Sequence, residues 1–108
     1  MSRNIVKFSP LTEASYYTLL ALVEPLHGYG IIKKVEKMSG GRVRLAAGTL
    51  YGAISSLLRN QLIELVDEEN VSRKRKRYMM TISGKDLINY EIKRLQEMVR
   101  NGLTEMEV

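Results

Sequence analysis

Hydrophobic positions recur at three- and four-residue spacing through Ala47 to Asn60, where Leu50, Ile54, Leu57 and Leu58 make one stripe. That period predicts an amphipathic helix with the stripe against a core. The opposite side holds Thr49, Gly52, Ser55, Ser56 and Arg59 together with Tyr51, and lacks the long Glu and Lys side chains that ordinarily solvate a helix. Short side chains let the backbone come close to whatever lies opposite. A smooth polar strip with one aromatic, one Arg and several hydroxyls suits a nucleic-acid groove, where side chains reach base edges and phosphates. It also describes an ordinary amphipathic helix with a glycine and two serines on its wet side.

Upstream, the pattern predicts a helix from Thr12 to about Glu24. Thr12 is placed to accept from the Ser15 amide as N-cap, Glu13 sits in the first turn, Leu11 can staple to Tyr16, and Pro25 stops the helix. A second helix starts around His27 to Tyr29, carrying Ile32, Val35 and Met38 inward and Lys33, Lys34, Glu36 and Lys37 outward, and ends at Ser39-Gly40-Gly41. Arg42 to Leu45 alternates as a very short strand would. After Asn60 the period turns strand-like over 62–67 and 77–82, with Tyr78, Met80 and Ile82 on one face. The two strands predict a hairpin, acidic on its descending side and basic on its ascending side. Ser83 then caps a final helix from Gly84 to about Arg100 or beyond, in which Ile88, Ile92, Leu95 and Val99 form a coiled-coil-like seam widened by Leu87, Met98, Leu103 and Met106. Fraying is expected near Gly102. The far half of that helix has no obvious partner in so small a chain, which predicts a homodimer.

These elements divide the 108 residues into an N-terminal arm (1–10, with Arg3, Lys7 and a candidate anchor in Phe8), a winged helix-turn-helix domain (11–83) and a C-terminal dimerisation helix (84–108). The fold class is mainly α, within α+β. Two helices joined by a short glycine-containing link, the second with the unusual polar face, follow the helix-turn-helix plan in which the second helix enters the major groove.

Charge sharpens the picture. There are 17 Lys and Arg against 12 Asp and Glu, and the run Arg73-Lys74-Arg75-Lys76-Arg77 accounts for the whole excess of five. Such concentration is expected of a phosphate-contacting element. Composition narrows the chemistry as well. With no Cys and one His, His27, a structural zinc site and a Cys nucleophile are excluded. No phosphate-cradling glycine loop occurs. The chain is therefore expected to be no enzyme and to need no cofactor or metal. The longest apolar run, 16–23, is far short of the roughly 20 residues of a membrane span. Lack of a secretory signal or disulfide makes the cytoplasm the expected location.

At this point Leu11-Thr12-Glu13-Ala14, Val23-Glu24-Pro25-Leu26-His27-Gly28-Tyr29-Gly30, Gly48-Thr49-Leu50-Tyr51 and Tyr78-Met79-Met80-Thr81-Ile82-Ser83-Gly84 resemble, in order, the signatures of the PadR family of bacterial and archaeal winged-helix transcriptional regulators. The resemblance spans roughly Leu11 to Arg100. It implies a homodimer with the final helix in the interface, a recognition helix in the major groove, a basic wing near the DNA backbone and, usually, repression. It implies DNA contacts by Thr49 and Tyr51, a phosphate near Tyr29, and wing contacts by Lys74, Arg75 and Lys76. Arg77, Met79 and Met80 depart from the residues usual at their positions. The single C-terminal helix resembles the short form of the family, without the larger effector-sensing domain. Some short members bind flat aromatic compounds between subunits, often through a Trp; this chain has none, so the sequence lends no support to a small-molecule effector.

The resulting expectation is sequence-specific recognition of an inverted-repeat duplex. Tyr29, Thr49, Tyr51, Gly52, Ser55, Arg59, Arg73, Lys74, Arg75 and Lys76 face the DNA, and Ile88, Ile92, Leu95 and Val99 join the subunits. Because winged helices also serve as protein-docking domains, a partner protein on the Tyr51 face is the competing reading.

Overall fold

The computed structural model describes residues 4–70 and 74–107. A 3-10 turn, Ile5–Phe8, leads into α1 (Glu13–Ala21), β1 (Leu26–His27), α2 (Gly28–Met38), α3 (Ala47–Arg59), β2 (Ile63–Asn70), β3 (Lys74–Met80) and α4 (Ile82–Met106). The strands form one antiparallel sheet in the order β1-β3-β2. This is the winged helix-turn-helix architecture: three helices, a wing hairpin and a long closing helix.

Thr12 caps α1 as its position predicts, accepting from the Ser15 amide at 3.1 Å. The helix nevertheless ends at Ala21 rather than Glu24. Leu22 turns the chain so that its carbonyl accepts from the Met80 amide (2.8 Å), and Leu26 and His27 then pair with Tyr78 and Arg77. This two-residue strand is too short to leave a hydrophobic period. His27 closes it and caps α2, its Nδ1 accepting from the Gly30 amide. On α2 Val35 is buried as predicted, but Ile31 takes the inward place expected of Ile32, which is half-buried, and Met38 is exposed. Gly40, at φ +61°, ends α2 with paired bonds from Gly41 to Glu36 and from Gly40 to Lys37, a geometry that favours a residue without Cβ.

Arg42 to Leu45 is not a strand. Its polar groups are taken one by one by the helices around it: Val43 N–H donates to Ser39 Oγ at the end of α2, Arg42 pairs with Glu13 on α1, and Arg44 with Glu36 on α2. Leu45 is buried, which explains the alternation without a ladder. On α3 the predicted stripe is realised by Leu50, Ile54 and Leu57, all buried, with Leu58 half-buried. The helix closes on Gln61 at φ +61°, with Leu62 N–H to Leu57 O (2.9 Å) and Gln61 N–H to Leu58 O (3.0 Å).

In the wing, Ile63 pairs with Met80 and Leu65 with Tyr78, and the register then shifts by a bulge between Leu65 and Asp67. Ile82 is not a strand residue sharing Tyr78's face. It is the first residue of α4 and is exposed, because Thr81, not Ser83, is the N-cap: Thr81 Oγ1 accepts from Gly84 N–H and donates to Gln61 O. A Cβ at Gly84 would overlap the Leu62 carbonyl, so the glycine lets α4 start flush against the link between α3 and β2. Leu87, Ile88 and Glu91 are buried beneath α4, and the helix continues through Gly102, where fraying was expected, to Met106. Packing also reaches the stretch read as an arm, since Ile5 is buried and the 3-10 turn lies against α4.

Candidate nucleic-acid interface

With Leu50, Ile54 and Leu57 turned inward, helical geometry throws Gly48, Thr49, Tyr51, Gly52, Ser55 and Arg59 outward, and all six are exposed. No acidic residue occurs on α3. A Cβ at Gly48 or Gly52 would meet nothing within 4 Å. Glycine inside a helix costs about 0.5–1 kcal/mol relative to alanine. At these two positions nothing within the described chain requires it. Ala46 provides no side-chain cap either, so the first-turn amides of α3 lack a side-chain acceptor on the exposed side.

Tyr51 is held over the start of α2. A Cβ at Gly28 would overlap the Tyr51 hydroxyl, so that hydroxyl lies against a bare Cα, next in sequence to Tyr29. Tyr29 is 66% exposed, and the Lys33 ammonium stands 5.7 Å from its ring centre. The fold thus brings Tyr29 and the Tyr51 face together, and adds Lys33, which the sequence pattern showed only as an outward lysine. Its signal was the four-residue spacing from Tyr29, which stacks the two on one helix face. The acids near these helices are already engaged: Glu24 by Lys34 and Glu36 by Arg44. What remains exposed is cationic, with Lys33, Lys37 and Arg59 lacking acidic partners among the described residues.

Of the basic run, Arg73 lies outside the described residues. Strand register sets Lys74 opposite Asn70, Arg75 opposite Glu69, Lys76 opposite Glu68 and Arg77 opposite Asp67. Lys76 is exposed. The Arg77 guanidinium donates twice to Asp67, at 2.8 and 2.6 Å, and holds that carboxyl below its ordinary range.

Along α4 the four seam residues separate. Ile88 is buried in its own chain's core, whereas Ile92, Leu95 and Val99 are exposed, as are Met98, Leu103 and Met106. Two depressions adjoin this strip: one of about 290 Å³ lined by Tyr16, Tyr17, Glu91, Arg94 and Leu95 among others, and one of about 450 Å³ lined by Tyr16, Ile92, Leu95 and Val99 among others. Glu91, a charged residue of α4, is fully buried. Its carboxylate accepts from Arg94 (2.7 and 3.0 Å), from Ser9 Oγ (2.6 Å) and from the Leu11 amide (2.8 Å). Those bonds, Arg94's first, lower its pKa from the ordinary 4.5 to about 2 against the opposing effect of burial. The sequence did contain a signal: Glu91 falls four residues after Leu87 and three after Ile88, on the core stripe, with Arg94 one turn on. Among the described residues no cluster of His, Asp or Glu could hold a metal ion, and no helix is long and apolar enough to cross a membrane.

Fold, wing and bare helix face together define a winged-helix protein. The sequence profile described as the transcriptional regulator PadR-like family matches residues 13–90, and the chain belongs to that family. It is 36% identical over 80 residues to an uncharacterized 37.1 kDa protein in transposon TN4556 of Streptomyces fradiae. That match takes in 73% of this chain but only 22% of the relative's length. In fold it is similar to a transcriptional regulator from Clostridium thermocellum (TM-score 0.70, 16% identity, covering 95% of this chain and 97% of that one). It is likewise similar to a PadR family transcription regulator from hypervirulent Clostridium difficile R20291 (TM-score 0.70, 21% identity, 90% and 100% covered).

Proposed function

We propose that this PadR-like regulator binds double-stranded DNA sequence-specifically as a homodimer and represses transcription by occupying an inverted-repeat operator. The observation that carries the reading is the outer face of α3. Two helical glycines with open space above them weaken the helix for no reason internal to the described chain, and an external surface at close range supplies one. A duplex major groove fits, because the flanking Thr49, Tyr51, Ser55 and Arg59 offer hydroxyls and a guanidinium for base edges and phosphates, and no carboxylate stands among them. Tyr29 belongs beside a phosphate at the start of α2, with Lys33 as its neighbour; helix-turn-helix proteins lay that first helix across the backbone. Arg73, Lys74, Arg75 and Lys76 extend the footprint from the wing. The second subunit is a second copy of this chain, joined through Ile92, Leu95 and Val99. In support, those side chains continue in an exposed apolar strip beyond the buried half of α4.

A two-fold dimer presents two copies of α3, so the site should be an inverted repeat with half-site centres about 10 base pairs apart, or a multiple of that. Selection from a random duplex library reads this directly. Ser55→Glu then tests the face. Exposed on α3, it leaves folding and dimerisation intact, yet sets a carboxylate against phosphates or base edges, and binding to the selected repeat is lost. If Ser55→Glu binds that repeat as the parent does, α3 does not read DNA, and a protein partner becomes the better reading of its outer face. Repression is read separately, as reporter output with the repeat placed across a promoter.

A further inference from the structure

The wing is not a simple cationic finger. Its ascending strand carries the basic run, but the antiparallel register sets an acid against a base at three successive pairs: Asp67 with Arg77, Glu68 with Lys76 and Glu69 with Arg75. At the first of these the partnership is a bidentate, two-hydrogen-bond ion pair, the same fork geometry with which Arg grips a phosphate. The bulge after Leu65 is what brings Asp67 level with Arg77: without the shift, the residue facing Arg77 would be Val66. At Asp67 a carboxylate therefore holds an arginine of the wing as a phosphate would, and the register aligns two further acids with bases.

We propose that the acidic half of β2, Asp67, Glu68 and Glu69, acts as an internal phosphate mimic that competes with DNA for the basic residues of β3 and so holds down the protein's affinity for duplex of any sequence. This inference rests on the DNA-binding reading and adds a regulation of the same site. The Arg77 guanidinium is engaged before DNA arrives, and Lys76 and Arg75 are set by register beside acids. Phosphates must displace carboxylates, so fewer counterions are released per contact than the basic run alone would give. Sequence reading by α3 is untouched, and the consequence is weak capture by random DNA.

The test is Asp67→Asn, Glu68→Gln and Glu69→Gln together, measured by fluorescence anisotropy on a random-sequence duplex and on the selected inverted repeat, from about 50 to 200 mM salt. Each substitution keeps size and removes one competing charge. Exposed ion pairs are weak, so affinity for both duplexes should rise only roughly twofold to fivefold per acid removed, and the log–log salt slope should steepen. Glu64→Gln is the control: it removes the same charge from the same strand, but Glu64 pairs with Met79 and faces no base, so its gain should be smaller than that of Asp67→Asn. Far-UV circular dichroism checks folding, and Asp67→Asn alone carries the test if the triple variant unfolds. A parent that binds DNA while its variants gain nothing overturns this proposal alone. Equal gains from Glu64→Gln and Asp67→Asn overturn it too, since net charge would then suffice. A parent that binds no duplex overturns the DNA-binding reading and this proposal with it.

Discussion

Glu91 offers a perturbation whose size can be worked out from its surroundings. An acid that titrates at about 2 in the folded chain, against an ordinary 4.5, holds its proton less tightly there by about 3 kcal/mol. The sign follows from the direction of the shift. A depressed folded-state pKa contributes stability that is fully present above about pH 4.5 and is lost as pH falls toward 2. Glu91→Gln should remove most of it at pH 7, because the amide nitrogen would face groups that are themselves donors: Arg94, the Ser9 hydroxyl and the Leu11 N–H. The expected loss of about 3 kcal/mol is a large part of the 5–15 kcal/mol typical of a small domain. Urea unfolding of parent and variant, at one protein concentration and at pH 7, 4.5 and 3, measures it. The parent should weaken between the two lower values and the variant much less, and hydrogen exchange at the Leu11 amide should quicken in the variant. A variant within about 1 kcal/mol of the parent at pH 7, or two curves falling in parallel below pH 4.5, would refute the reasoning.

Ile92→Asp with Leu95→Asp should sediment as a folded monomer at micromolar concentration, because charge in a dimer seam costs several kcal/mol; a folded dimer rejects the α4 interface. Gly28→Ala should leave stability nearly unchanged, since the exposed Tyr51 ring can swing aside, but should weaken binding to the selected repeat several-fold through the displaced hydroxyl. Unchanged binding would mean that Tyr51 needs no such seat. Gln61→Gly should raise stability by about 0.5–1 kcal/mol in a urea titration, because Gln61 occupies the left-handed region at φ +61°; a decrease would show that the glutamine side chain compensates for its backbone.

What the sequence made legible was what a period can carry. The stripe of α3 and its polar counterface emerge directly, because Leu50, Ile54 and Leu57 repeat at the helical spacing and nothing interrupts them. The hairpin was legible for the analogous reason. Pairings made by single residues were not. β1 is two residues long, and the loop at Val43 and Leu45 alternates because one side chain is buried locally and not because a strand passes. The start of α4 turned on which of two hydroxyl residues caps it, and Thr81 wins because it can also donate to the Gln61 carbonyl. The burial of Glu91 was not legible, because a charge on a helix is by default solvated. Its burial depends on three donors, two of them from a segment about 80 positions away in sequence.

The open space above Gly48 and Gly52 sets stability and binding against each other at two known positions. Alanine there would strengthen α3 by about 0.5–1 kcal/mol each without touching a neighbour in the described chain. A population of variants screened only for resistance to heat or protease should therefore drift toward alanine at both sites, whereas one screened for occupancy of the operator should keep glycine. The two screens run side by side would mark, residue by residue, how closely the partner surface approaches this helix.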